Sequence, residues 1–504
     1  MLSEVQSFYY GKKIFITGAT GFLGQMLISK LLCSCPEIDC IYILIREKSG
    51  KTIQDRIKAI FNHPIFERAK ELHPDYETKV KPIRGDCYEE YLGISEKDQA
   101  IIEDEVDIIF HIASLVNFNA PLRSAGYINI RSLDNLFEIA RKMIKLKAFV
   151  YVSTAYSACM ETKFIQEEFY EPPVKPRKLL SLIEHLDDDV LDEVAPRLAK
   201  SYPNRYVFTK LIAEDLCREN TTDLPVCVFR PAGVLPCFKE PLPGWINNSY
   251  GVIGFFFGFA LGITKVACVN ESCRACVVPG DYSTNALILS AYHMSKSWKN
   301  KSEEHEFDTP IINYSNCTTN FKVTWGSFQS ESNRVVKKYP FYNMVALPNI
   351  LLVNNYVMYR LFTLVLHILP AMVFDTMLQM IRQKPRFQKI YQKVHTFLDV
   401  MVPFATQEWT VTNRNIKEIW NSLSKKDQKL FYCNLDDLNI EQYFDTVARG
   451  VRLYLANENE DNMTKAKLKR CGFLLMYYTV VTLIVCGFFY LLRKLFFGYL
   501  INLF

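Results

Sequence analysis

The sequence predicts an α/β protein built on a doubly wound parallel sheet, followed by a helical C-terminal domain and a C-terminal transmembrane helix. Three observations carry this. Short runs rich in Ile, Val and Phe alternate with amphipathic stretches through the first half of the chain. A glycine-rich turn, TGATGFLG at residues 17–24, joins the first run to the first amphipathic stretch. Near the C-terminus, residues 472–492 carry no charge at all.

Taken in order, residues 13–17 read as the first strand and 22–32 as the first helix. Residues 40–45, 80–84, 107–112, 148–153 and 226–230 supply five more runs of strand length. Between the last two lies a Pro-rich stretch at 171–176 and an acidic helical stretch around 184–193, read together as an insertion. After about residue 290 the alternation fades. The segment 356–378 is strongly apolar but contains Arg360, His367, Pro370 and Asp375. A central arginine is costly in a bilayer and the proline interrupts a helix, so helices buried in protein or lying in the membrane interface are expected there. Residues 416–451 return to amphipathic helices, with Asn421 and Ser422 as a turn or cap signal. The domain plan is then 1–345, 346–464 and 465–504.

The 21 residues of 472–492 would span about 31 Å as a helix, close to the thickness of a bilayer core. Lys465, Lys467, Lys469 and Arg470 precede this stretch, against Arg493 and Lys494 after it. The basic excess puts the preceding domain on the cytosolic side. The apolar tail 495–504 is expected at the far interface or dipping back into the membrane. The opening residues, with Glu4, Gln6, Lys12 and Lys13, do not form a secretory signal.

Composition narrows the functional classes. The chain has 504 residues, enough for more than one structured region. Hydrophobic residues make up 49% and charged residues 22%, which excludes a disordered chain. A net charge of +5, with no basic run interleaved with aromatics, gives no footprint for nucleic acid. Fifteen cysteines are scattered without a disulfide framework, as suits a reducing, cytosol-facing setting. Cys273 and Cys276 are spaced like metal ligands but have no second pair, so no metal site is expected.

The glycine turn sits where strand meets helix, so backbone free of side chains lets a pyrophosphate approach the helix N-terminus, where unpaired N–H groups favour anions. A dinucleotide is the natural ligand. Gly18, Thr20, Gly21, Phe22, Leu23 and Gly24 form its expected cradle. Arg46 follows the second strand where an NAD-preferring domain often has an acid; an arginine there can pair with a 2′-phosphate, so NADPH is expected. Asp86, at the end of the third strand, is in reach of an adenine amino group or simply forms a turn with Gly85. Tyr206 and Lys210, in YVFTK, lie four residues apart and so share a helix face, where the ammonium can lower the phenol's pKa. Thr154, in YVSTAY at the end of the fifth strand, could bind the same reacting oxygen.

In this order, a glycine turn, six strands, Thr154, Tyr206 and Lys210 resemble the extended short-chain dehydrogenase/reductase family, a Rossmann-type fold. HIASLVNF at 111–118, VSTAY at 152–156, the insertion running from 179 to 210, FRPAGV at 229–234 and PGWINN at 243–248 are more specifically similar to fatty acyl-CoA reductase. LHILPAMVFD at 366–375 resembles that family's C-terminal domain. Cys276, Gly280 and Asn247 depart from residues common in the family, whereas Asp281 is retained.

The resemblance implies reduction of a long-chain fatty acyl-CoA by NADPH, with Thr154 and Tyr206 bonding the developing oxyanion. Loss of CoA thiolate gives an aldehyde, which a second NADPH reduces to a primary alcohol. Tyr206 would donate the proton and Lys210 would bind the nicotinamide ribose. Asn129, in the helix after the fourth strand, is expected to hold a water in a relay from Lys210, and Ala113 joins the cofactor-binding set. The apolar stretches 255–257 and 356–374 could line an acyl tunnel or be plain core. The endoplasmic reticulum is the favoured membrane, with peroxisome and lipid droplet open, as is a homodimer. Two rivals fit the same motifs: a sterol or sugar-nucleotide oxidoreductase of the same superfamily, and a catalytically idle, membrane-tethered scaffold.

Overall fold

The computed structural model describes residues 1–501 apart from 49, 200–201 and 302–308. Its centre is a seven-stranded, all-parallel sheet. The strands are β1 (Lys13–Thr17), β2 (Cys40–Ile45), β3 (Val80–Arg84), β4 (Ile108–His111), β5 (Ala148–Val152), β6 (Val226–Pro231) and β7 (Ile311–Tyr314). Their spatial order is β7-β6-β5-β4-β1-β2-β3. Strand order therefore reverses between β1 and β4, with Ile14 paired to Ile41 on one side and to Ile108 on the other. At such a switch point the connections leave to opposite faces and open a crevice beyond the strand C-termini.

β4 and β5 are buried along their lengths and β1 from Ile14 onward, as a sheet covered by helices on both faces requires. Helix α1 (Phe22–Ser34) follows β1 and packs against the long helix α3 (Gly280–Lys299). Helix α2 (Arg205–Glu219) leads into β6. Its start is fixed by Asn204, whose side chain accepts from the Val207 N–H at 2.9 Å. The insertion before it forms two helices, Pro176–His185 and Asp188–Ala199.

The strand β7 lies in the region where the alternation fades. Its run Ile-Ile-Asn-Tyr is only 4 residues long, too short for periodicity to separate it from loop. Segments beyond 346 are woven into the body built around this sheet. Leu351–Val353 pairs with Val266–Cys268, Thr410–Val411 pairs with Phe164–Ile165, and one hydrophobic core runs from Val5 to Ala456.

The segment 356–380 forms one long apolar helical element whose outward face is exposed. Burial in protein, one of the two expectations for it, is therefore limited to a stripe. Phe255 and Phe256 are plain core, Phe255 packing edge-on to Trp325. At the C-terminus a single helix runs over Met463–Ile501, and its apolar residues from 475 to 492 are exposed. The tail expectation falls partly outside the described residues, which end at 501.

Candidate active site

The glycine turn folds as its residue types dictate. Gly18 has φ +73°, and a Cβ there would lie 2.6 Å from the Ala113 nitrogen. A Cβ on Gly24 would meet the Gly18 carbonyl at 2.3 Å. The turn thus sits flat against β4 and α1, a cradle that any side chain would fill. Gly21 caps α1 without a side chain, leaving the first N–H groups of the helix directed at the crevice. Phe22 is held by stacking on buried Trp245, 5.2 Å between ring centres, and Thr20 accepts from the Gln25 amide. These features fit the pyrophosphate of a dinucleotide.

Beside the turn, Thr17 Oγ1 pairs with His111 Nδ1 at 2.8 Å and accepts from the Ala113 N–H at 3.2 Å. Burial, helped by the Lys210 charge, pushes His111 down to about 3, so its ring is neutral. His111 and Thr17 therefore fasten β1 to the loop carrying Ala113. The motif around His111 assigns it no role; its place at the end of a fully buried strand is the signal in the sequence that could have found it.

At the outer rim, Arg46 and Asp86 are paired with each other, Nη1 to Oδ2 at 3.2 Å. Asp86 Oδ1 also accepts from the Tyr88 N–H at 3.1 Å, the turn geometry considered for it from sequence. Arg46 is about half exposed, with guanidinium donors beyond the one that Asp86 uses.

On the other side of the crevice, α2 presents Tyr206, Lys210 and Glu214, spaced by four and therefore on one face. Tyr206 lies beside Thr154, which stands just past the end of β5, near enough for the threonine hydroxyl to act on the phenol's pKa. Phe118 sets its ring edge-on to Tyr206, 6.0 Å between centres. Lys210 donates to the Val152 carbonyl at 2.7 Å and is 1% exposed. Glu214, equally buried, accepts from Ser153 and forms a two-point pair with Arg230, at 3.0 and 2.6 Å. Arg230 in turn donates to the carbonyls of Gln166 and Glu168. Glu214 and Arg230 went unnoticed in the sequence, although Tyr-x-x-x-Lys-x-x-x-Glu continues the same helical face.

The electrostatics differ from the expected pattern of a lysine lowering the phenol's pKa. Burial raises the Tyr206 phenol well above its ordinary value, outweighing the lowering influence of the nearby Thr154 hydroxyl, and Glu214 adds to the rise. Lys210 is pushed down to about 7 by burial, against the pull of Glu214. Its ammonium is 6.0 Å from the Tyr206 ring centre and is directed to the backbone of β5 instead. Desolvation, acting on both groups, wins over their mutual interaction.

Asn129 is buried within a π-turn, Tyr127–Arg131. Its carbonyl accepts from Ser114 Oγ at 3.0 Å and from the Leu115 N–H at 2.8 Å, while its amide donates to Thr209 Oγ1 at 2.9 Å. The side chain thus ties the loop after β4 to α2. The familial Asp281 is structural in its contacts. It accepts from the N–H groups of Phe238, Lys239 and Glu240 and from the Tyr432 hydroxyl. Cys276, a departure from the family pattern, is buried 3.4 Å from the Cys317 sulfur.

Comparison with known proteins agrees with this architecture. Two family models, both described as male sterility protein, match the chain: an NAD-binding one at residues 16–287 and a second at 366–458. Among solved structures, the terminal R domain from the myxalamid PKS-NRPS biosynthetic pathway superposes with a TM-score of 0.58. It covers 88% of this chain and 90% of that one at 18% identity, a likeness of fold. Fatty acyl-CoA reductase wat of Drosophila melanogaster is 33% identical over 95% of this chain and 91% of its own. Fatty acyl-CoA reductase 1 of Mus musculus is 33% identical over 92% of this chain and 88% of its own. With a third of its residues shared along nearly its whole length and with both family models matched in order, the chain belongs to the fatty acyl-CoA reductase family.

Proposed function

We propose that this oxidoreductase converts a long-chain fatty acyl-CoA to the primary alcohol through the aldehyde, using NADPH and releasing CoA. The observation that carries the reading is Thr154 and Tyr206 set beside each other just past the end of β5, with Lys210 one helical turn behind, at the strand C-termini where the glycine cradle also lies. When bound, NADPH supplies hydride to the carbonyl carbon.

The chain's own groups do the rest. Thr154 and Tyr206 donate hydrogen bonds to the carbonyl oxygen as it becomes an oxyanion, which lowers the barrier most effectively in a dry site. CoA thiolate leaves without any cysteine nucleophile. In the second reduction the Tyr206 phenol gives its proton to the alkoxide. A phenol whose pKa is raised by burial stays protonated until that oxygen appears. Lys210, held against β5 by Val152, orients the ribose, and Asn129 positions α2 through Thr209. Gly18, Thr20, Gly21, Phe22, Leu23, Gly24 and Ala113 cradle the pyrophosphate end, and Arg46 takes the 2′-phosphate with a donor that Asp86 leaves over.

The helix containing 472–492 anchors the enzyme in a membrane with its catalytic body on the cytosolic side, in the endoplasmic reticulum on this reading. The test is stoichiometric: full-length protein in vesicles, palmitoyl-CoA and NADPH, with CoA thiol and NADPH followed together. Two NADPH consumed per CoA released is expected. One per CoA would end the pathway at the aldehyde, and NADPH consumption without any CoA release would overturn the substrate class.

A further inference from the structure

The helical element 356–380 is inside out for a soluble protein. Its buried stripe is Tyr359, Thr363, His367, Ala371 and Asp375, each at most 2% exposed. Its outward face is apolar instead: Val357, Leu361, Val365, Met372, Phe374 and Met377 are each between 47% and 69% exposed. Soluble surfaces rarely leave a contiguous apolar face of this kind uncovered.

The polar stripe is bolted inward along its length, to Lys265 and to the helix that follows, Phe387–Thr406. Tyr359 donates to Asp399 at 3.2 Å. His367 accepts from the Lys265 N–H at 2.8 Å and pairs with His395 at 3.0 Å. Asp375 accepts from the N–H groups of Arg386, Phe387 and Gln388, capping the next helix, Phe387–Thr406. A stripe spaced by four drifts around an ideal helix of 3.6 residues per turn, and the π-turn at Leu364–Ile368 takes out part of that drift. The stripe is thus used inward, at its N-terminal half and middle against the body and at its C-terminal end against the next helix, which leaves the apolar face outward.

Two observations say what covers the apolar face. The first is charge. Across 356–398 the one acid is the buried Asp375, whereas exposed Arg382, Lys384, Arg386 and Lys389 crowd the turn that ends the helix and the start of the next. A basic margin beside an apolar face is complementary to anionic lipid headgroups above acyl chains. The second is continuity with the anchor. At the base of the long C-terminal helix, Lys469 donates to the Tyr342 carbonyl at 2.9 Å. Five residues along, Leu347 accepts from Lys265, whose N–H bonds His367 in the middle of the stripe. Five residues span at most about 18 Å, so the bilayer entered by the anchor is within reach of this face.

We propose that 356–380 is an in-plane membrane-docking helix, seating its apolar face in the same cytosolic leaflet that the anchor crosses, with the turn at 382–389 on the headgroups. This rests on the anchor reading of 472–492. It gives the reductase two membrane contacts and fixes the tilt of its body against the surface.

The test uses full-length protein in phosphatidylcholine vesicles, with or without phosphatidylserine, doped with a phosphatidylcholine whose acyl chain carries a photoactivatable diazirine. Labelled peptides are mapped by mass spectrometry, with 472–492 as the positive control and Asp188–Ala199 as the negative one. The expected result is lipid adducts on 356–380 as well as on the anchor, more of them with phosphatidylserine. The double variant V365E/V373E, whose residues are exposed and outside the fold's core, should lose the adducts on 356–380 and keep those on the anchor. R382E/K384E should lower them by at least roughly fivefold per residue changed in phosphatidylserine vesicles, since each change removes one basic charge and adds an acidic one. Adducts on the anchor alone would overturn the proposal and leave the anchor standing. Protein–protein cross-links through 356–380 in place of lipid adducts would assign the face to a second copy and equally overturn it. No adducts on either segment would overturn the anchor reading, and the docking helix with it.

Discussion

Lys210 donates a hydrogen bond from Nζ to the Val152 carbonyl, 2.7 Å away, so the lysine is fixed to the end of β5 and not to the phenol one turn before it. Burial in that position pushes its pKa from 10.5 down to about 7. Between about pH 7 and 10.5 the unfolded chain holds a proton that the folded chain has released, so the contribution of Lys210 to stability rises with pH across that window and is least below it. Lys210→Met should therefore melt above the parent protein at about pH 6, and the gap should narrow by about pH 9. Thermal unfolding of the two proteins across that range, without cofactor, checks this.

Tyr206→Phe removes the proposed proton donor and leaves the ring in its edge-on contact with Phe118. The maximal rate of aldehyde reduction should fall by roughly 10²–10⁴, with NADPH affinity and melting temperature little changed. Single-turnover reduction of a supplied fatty aldehyde, beside an NADPH titration, separates those quantities.

Gly18→Ala imposes both a side chain at φ +73° and a Cβ 2.6 Å from the Ala113 nitrogen. The variant should lose about 1–3 kcal/mol of stability and bind NADPH weakly or not at all. Gly11 has a similar φ of +63° but open space around it. Gly11→Ala should share the backbone strain alone and keep normal NADPH binding, measured by calorimetry.

Arg46→Ala should weaken NADPH binding roughly 10- to 100-fold, the worth of one or two hydrogen bonds to a charged phosphate, with NADH binding unchanged. Asp86→Ala frees the Arg46 donor now held at 3.2 Å and should not weaken NADPH through Arg46. Competitive titration of both nucleotides against both variants distinguishes a phosphate clamp from a simple surface pair.

Glu214 and Arg230 form an ion pair with both side chains at most 1% exposed. Arg230→Met leaves the Glu214 carboxylate buried without its partner and should cost about 3–5 kcal/mol, read by denaturant unfolding. The loss should also reach catalysis, because Glu214 accepts from Ser153 and shares its helix face with Tyr206 and Lys210.

The glycine turn, six of the seven strands and the Thr154, Tyr206, Lys210 set were legible because each depends on local chemistry: strand-length apolar runs, residues that permit a tight turn, and a four-residue helical spacing. β7 was not, since Ile311–Tyr314 is recognisable as a strand only by pairing with β6, a contact more than eighty residues away in sequence. The interweaving of 346–464 with the reductase body was hidden for the same reason: Leu351–Val353 is a strand because Val266–Cys268 lies beside it. Likewise the direction of Lys210 and the pairing of Arg46 with Asp86 depend on how α2, β2 and β3 converge, and on burial, which spacing alone does not fix. For 356–380 the sequence supplied both the apolar character and the polar exceptions. Only the structure sorts them, putting the polar residues inward and the apolar ones outward.

The most direct measurement of the central claim is the lipid product. Full-length protein in membranes, supplied with NADPH and acyl-CoAs of graded chain length, should make the matching primary alcohols, identified by mass spectrometry, while Tyr206→Phe should make almost none. No aldehyde or alcohol from any acyl-CoA, in a preparation shown to bind NADPH, would contradict the account.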